Sequence, residues 1–162
     1  MGTHPEDYEF SIDKSVAHGG KASALLKSKS VTAKPFGGFV QSIKADDYRG
    51  KRLRMSGYAK AEGVVGWAGL WMRIDGPKVG QIIALDNMHD RAIKGTSDWV
   101  RYEVVLDVPS DAAIIIFGAL LDGAGQVWVD DSNLDIVDAS VATTADRIGE
   151  RPRHPQNLDF EE

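Results

Sequence analysis

Trp99-Val100-Arg101-Tyr102-Glu103-Val104-Val105-Leu106-Asp107-Val108-Pro109 alternates with period two. Tyr102, Val104, Leu106 and Val108 fall on one side of an extended chain, and Arg101, Glu103, Val105 and Asp107 on the other, the pattern of a strand. The next run, Ala112 to Leu121, is almost wholly apolar through Ile114-Ile115-Ile116-Phe117. That predicts a central strand covered on both faces. Asp122-Gly123-Ala124-Gly125 reads as a hairpin-type turn, and Gln126 to Val137 as the closing strand. Three strands in succession, with no helical stripe between them, make the chain all-β.

The pattern continues toward the amino end. Val64 to Asp75 reads as a long strand ended by Asp75-Gly76-Pro77. Gln81 to Asp86 reads as a short strand running into a polar loop, Asn87 to Asp98. Earlier runs are Lys51 to Ala61, Phe39 to Lys44, Ala22 to Lys27 and Asp7 to Lys14, the last with Tyr8, Phe10 and Ile12 as its buried face. About nine strands result, with turn signals at intervals near the roughly 8–12 residues of sandwiches. Helical signals are thin: a single turn at Asp46-Asp47-Tyr48 and a short helix within Ser140 to Ile148. The expected architecture is one jelly-roll β-sandwich over residues 1–138. Its expected core includes Leu53, Met55, Leu70, Met72, Val104, Leu106, Ile114 and Ile116. Residues 139–162 are expected to form an extended tail on the sandwich, with Leu158 and Phe160 at strand spacing for docking as an edge strand.

Composition narrows the function. The chain has 162 residues, enough for one domain, with 43% hydrophobic and 27% charged residues, as in ordinary soluble proteins. Lys and Arg number 19 against 24 Asp and Glu, a net charge of -5, which argues against a nucleic-acid binder. The absence of cysteine removes disulfides and thiol chemistry. The first twenty residues hold no apolar run, so a signal peptide is not expected and the chain reads as cytoplasmic. No stretch approaches the roughly 18 apolar residues of a membrane helix. No two histidines have metal-ligand spacing, and no Gly-x-Ser-x-Gly or phosphate-binding glycine loop is present.

Candidate site residues come from the strand Gly66 to Asp75. Ala68, Leu70, Met72 and Ile74 form a core face, while Trp67, Gly69, Trp71, Arg73 and Asp75 share the other. Two tryptophans and an arginine opposite a complete core face suit a small-molecule site, with apolar walls and few polar groups. The competing reading is that loops cover this face and make it a second core. Gly69 is expected to leave room for a ligand near the sheet. The two tryptophans, four residues apart at about 3.3 Å each, are expected to mark the ends of an elongated ligand. Asp86, Asn87 and Arg91, in the loop that follows a strand, join the ligand-binding candidates. For acid–base work the candidates are Asp75, Asp86 and Tyr58, although carboxylates on strand faces are most often solubilising.

Gly95-Thr96-Ser97-Asp98-Trp99-Val100-Arg101-Tyr102-Glu103, followed by Gly125-Gln126-Val127-Trp128-Val129-Asp130-Asp131, resembles the second half of a galactose-binding-like jelly roll of the carbohydrate-binding-module kind. Ala17-His18-Gly19-Gly20-Lys21-Ala22-Ser23 agrees more loosely with the first half. Gly66-Trp67-Ala68-Gly69-Leu70-Trp71-Met72-Arg73, with Asp86-Asn87-Met88 and Arg91, is similar to small bacterial proteins of this fold. Some of these are labelled AraC-type transcriptional regulators, a label inherited from fused neighbours, since this chain has no helix-turn-helix pattern. The resemblance implies a structural calcium ion held by a Glu near the first strand and an Asp of the closing strand. Asp130 and Asp131 are the candidates here. The family's Asn-x-Asp-Phe-Glu opening is absent from the amino end, while Asn157-Leu158-Asp159-Phe160-Glu161 stands at the carboxyl end.

Three readings follow. The first is a non-catalytic domain binding a sugar or other small molecule through Trp67, Trp71, Arg73, Asp86, Asn87 and Arg91. The second is a cofactor-free cyclase, isomerase or lyase using Asp75 or Asp86 with Tyr58. The third is the ligand-sensing domain of a regulatory system. No required cofactor, nucleic acid or membrane is expected, and the oligomeric state is left open.

Overall fold

A computed structural model describes residues 5–33 and 36–144. Eight strands form among them: β1 (Tyr8–Asp13), β2 (Ser23–Ser28), β3 (Phe36–Lys44), β4 (Lys51–Asp75), β5 (Ile82–Asp86), β6 (Ile93–Val108), β7 (Ile114–Asp122) and β8 (Gln126–Val137). Two one-turn 3-10 segments, Pro5–Asp7 and His89–Arg91, are the helical content of the described residues. None is long and apolar enough to cross a membrane.

The expected count of nine falls to eight because two runs are one strand. β4 continues through Gly63, whose φ of +61° would strain a residue with a side chain. Its register against β6 shifts around Ala61, Val64 and Ala68, which lets the strand bend from one layer into the other. The first half of β4 lies between β6 and β8, and the second half between β5 and β7. The sheet path β1-β2-β8-β4-β7-β3 therefore curls on itself as a jelly-roll sandwich.

The core lies inside the curl. Leu53, Met55 and Ala59 from the first half of β4 meet Leu70, Met72 and Ile74 from the second half, with Val104 and Leu106 of β6 and Ile115, Ala119 and Leu121 of β7. Leu70 has no exposed surface. Leu70→Ala should therefore destabilise the fold by about 2–5 kcal/mol, through lost burial plus a cavity. Urea unfolding tests this, and a loss under about 1 kcal/mol would remove Leu70 from the core.

Two expectations about burial and one about a strand boundary need correction. Ile114 is exposed and Ile116 only half-buried, because the core parity of β7 belongs to Ile115, Phe117, Ala119 and Leu121. In an uninterrupted apolar run the parity cannot be read from composition. Phe10 and Ile12 are exposed because β1 is an edge strand, and only Tyr8 of its apolar set is buried. The polar segment Asn87 to Asp98 is not wholly loop, since β6 already begins at Ile93.

The chain beyond β8 runs along the β6 edge as far as it is described. Arg52 donates to the carbonyls of Ala139 and Val141, and the Thr144 amide donates to the Val105 carbonyl at 2.9 Å. Leu158 and Phe160 lie outside the described residues.

β1 is tied to β8 through Asp13. Its carboxylate accepts from the Ser15 hydroxyl at 2.6 Å and from the Trp128 indole at 2.9 Å, and these bonds hold its pKa at about 2, below the ordinary 3.8. A depressed carboxylate pKa contributes stability that is present above the unfolded value and lost as pH falls through the folded one. Thermal melts between pH 4 and pH 2 should therefore fall less steeply in Asp13→Ala than in the parent chain. Parallel curves would remove Asp13 from the acid response.

Candidate functional site

The second half of β4 carries the site. Trp71 stands opposite Gly118 of β7, and Arg73 stands opposite Ile116 on one side and Leu85 on the other. Directly opposed residues of antiparallel strands share a face, so these groups meet on the outer side of the layer, away from Met72 and Ile74. A cleft of about 200 Å³ opens there, with Trp67, Trp71 and Arg73 as its floor. Ile82, Leu85 and Asn87 form one wall, and Leu120 with Phe36 the other. Trp71 is buried at 6% exposure, while Trp67 and Arg73 are half-buried.

Arg73 is held in place from its own strand. Its Nη2 donates to Asp75 Oδ2 at 2.8 Å, while Arg73 Nε and Asp75 Oδ1 are buried without hydrogen-bond partners among the described residues. Buried polar atoms are nearly always partnered, so two unmatched ones in a single ion pair mark unused hydrogen-bonding capacity. Asp75 thus enters the site as the tether of Arg73.

The loop after β5 divides the remaining candidates. Asp86 stands opposite Met72, on the core side of β4, and is fully buried. Its Oδ2 accepts from Arg91 Nη2 at 2.6 Å, and its Oδ1 accepts from the Met88 amide at 2.8 Å. Arg91 also donates to the Glu103 carbonyl at 3.1 Å. Burial works against the Arg91 charge, but the bonds and charges of Asp86 and Asp90 outweigh it and hold the guanidinium above its ordinary range. Asp86 and Arg91 therefore lock the loop from behind and do not line the cleft; Asn87 alone of the three does.

The space over Gly69 is also filled from this loop. The Asn87 carbonyl and Met88 Cβ lie 3.0 Å from where a Gly69 side chain would begin, and the Trp67 ring 3.7 Å from it. The glycine thus admits protein backbone and a folded-back indole, not a ligand. Trp67 leans along the strand, so strand spacing does not set the distance between the two indoles. The His89 ring meets Trp67 edge-on at 5.2 Å. Phe36, Ile82, Leu85 and Leu120 were not singled out from sequence. The alternation of β7 and β5 could have suggested Leu120 and Leu85, whereas Ile82 joins them only through the register shift of β5 against β4 between Ile74 and Asp75.

Tyr58 lies on the other layer, opposite Arg101 and Asp130, where its ring stacks on His18 at 3.7 Å. It is not brought together with Asp75 or Asp86, so the proposed acid–base trio does not assemble. Asp130 Oδ2 accepts from the amides of His18 and Gly19 at 2.8 and 3.1 Å, and its Oδ1 accepts from the Asp131 amide at 2.8 Å. Burial pushes the Asp130 carboxyl up, but these donors outweigh it and hold it below the ordinary range. Asp131 Oδ2 pairs with His18 Nδ1 at 2.7 Å, and a side chain at Gly19 would collide with that carboxylate. Calcium takes six to eight oxygen ligands. Here both carboxylates are turned to nitrogen partners, and the described residues hold no group of three acidic or histidine side chains able to share an ion. This donor set does not fit calcium.

No family model matches the chain. Among solved structures, the fold is that of carbohydrate-binding jelly rolls. The CBM22-1 xylan-binding domain of Paenibacillus barcinonensis Xyn10C superposes with a TM-score of 0.54 at 15% identity, over 82% of this chain and 83% of that one. A family 16 carbohydrate-binding module gives 0.58 at 16% identity, over 79% and 86%. A family 30 module gives 0.57 at 13% identity, over 81% and 88%. At such identities the similarity is one of fold. In sequence, the chain is 45% identical over 163 aligned positions to YbfP of Bacillus subtilis (strain 168), named as an uncharacterized HTH-type transcriptional regulator. The alignment takes in 99% of this chain and 55% of that protein, so the chain spans about half the length of this relative.

Proposed function

We propose that this chain is a non-catalytic sugar-binding domain that serves as the sensing part of a transcriptional regulator. The observation that carries the binding role is the cleft itself: two indoles and a tethered guanidinium on the outer face of a sheet whose other face is a complete core. Indole faces pack against the C–H faces of sugar rings, and a guanidinium supplies forked donors to neighbouring hydroxyls. Asn87 adds a donor and an acceptor at the wall. The jelly-roll fold shared with carbohydrate-binding modules supports the same ligand class. The sensing role rests on the regulator name of the relative and on the part of that protein this chain does not span. With a net charge of -5, this chain carries no basic excess of the kind DNA contact uses.

A thermal-shift screen of sugars tests the binding role, because a ligand taken only by the folded state raises its melting temperature. At a ligand concentration about 100 times the parent Kd, the stabilisation should approach roughly 2.7 kcal/mol in the parent chain and drop to about 0.9 kcal/mol or less in Trp67→Ala. A panel of neutral and acidic sugars that leaves the melting temperature unchanged would contradict it.

A further inference from the structure

We infer that the cleft takes one sugar ring, either a monosaccharide or the end ring of a short saccharide, and not an internal stretch of a polymer. This inference rests on the sugar-binding reading and specifies the ligand size. The first observation is volume. About 200 Å³ lies below the roughly 300–1,000 Å³ of sites that enclose larger small molecules.

The second observation is that the groove is stopped. A polymer lying along β4 would pass over Gly69, where the Asn87 carbonyl and Met88 Cβ stand 3.0 Å from the position of the missing side chain. The Trp67 ring folds back over the same glycine, and His89 abuts that ring edge-on.

The third observation is that the stop is built to stay. Met88 is fully buried with a φ of +63°, a conformation that is costly for a residue with a side chain and persists only where the surroundings impose it. Asp86 imposes it by accepting the Met88 amide while paired with Arg91. Asp86 and Arg91 are thus positioning residues for the closed end, and His89 is its outermost piece.

The test is a titration of the whole chain with monosaccharides and with their oligomers of two to six rings, followed by tryptophan fluorescence. The affinity of the sugar that binds should change by no more than about threefold with chain length, since added rings find no further subsite. In His89→Ala, an exposed position whose loss leaves the fold in place, the preference for two rings over one should rise several-fold. Affinity that climbs tenfold or more from one ring to four would overturn the single-ring inference while leaving the sugar-binding reading intact. An unchanged length preference in His89→Ala would overturn the placing of the closed end at this loop. No response to any sugar of any length would overturn the sugar-binding reading, and this inference with it.

Discussion

Arg91→Ala is expected to destabilise the chain by about 2–3 kcal/mol, below the roughly 3–5 kcal/mol of a fully buried ion pair because the Arg91 side chain is 31% exposed. The reason lies in Asp86, which has no exposed surface and is left with the Met88 amide as its remaining partner. Asp86→Asn in the parent should be milder, because an amide keeps an acceptor for Met88 and is not a buried charge. Replacing both residues by apolar ones of similar size should recover part of the loss, since desolvating a charge pair offsets much of its attraction. Urea unfolding of the three variants decides this. Equal stability of Arg91→Ala and the parent would show that the loop is not held from behind.

The second large effect concerns binding. Trp67→Ala should weaken the sugar by about 2 kcal/mol or more, roughly thirtyfold, as expected for a central aromatic anchor. Arg73→Lys keeps the charge but loses the planar fork, and should also weaken binding while leaving stability nearly unchanged. Trp71→Ala is a poorer probe than its place in the sequence suggests. Trp71 is buried, so its loss would unsettle the layer together with the ligand. Calorimetric titration of Trp67→Ala and Arg73→Lys gives the answer. Parent-like affinity in both would exclude the cleft.

Much of this architecture can be read from single strands. Period-two alternation placed β6 and the outward face of β4, and the Asp122-Gly123-Ala124-Gly125 turn marked the break between β7 and β8. The hairpin expected at that turn does not form, because β7 and β8 pair with different halves of β4 and not with each other. Those signals are local, because side-chain direction along a strand follows sequence parity. What failed to show was everything set by neighbours. Ile114 and Ile115 look alike in sequence, and only the packing of β7 decides which one faces the core. Asp86 and Asn87 look like one polar loop. A strand end between them sends the first carboxylate into the core and the second side chain into the cleft. Asp130 and Asp131 resemble a calcium pair until the turn at His18 supplies the nitrogen donors that occupy them. Gly69 read as space for a ligand because its filling comes from a residue nineteen positions later, beyond any local pattern.

The most direct test uses the four indoles as reporters. Trp67 and Trp71 line the cleft. Trp99 lies beside His18 on the other layer, and Trp128 is bound to Asp13 there. In ¹H–¹⁵N spectra recorded during a sugar titration, the indole signals of Trp67 and Trp71 should shift together and saturate, while those of Trp99 and Trp128 stay in place. A sugar that binds while moving Trp99 and leaving Trp67 and Trp71 fixed would contradict the assignment of the site.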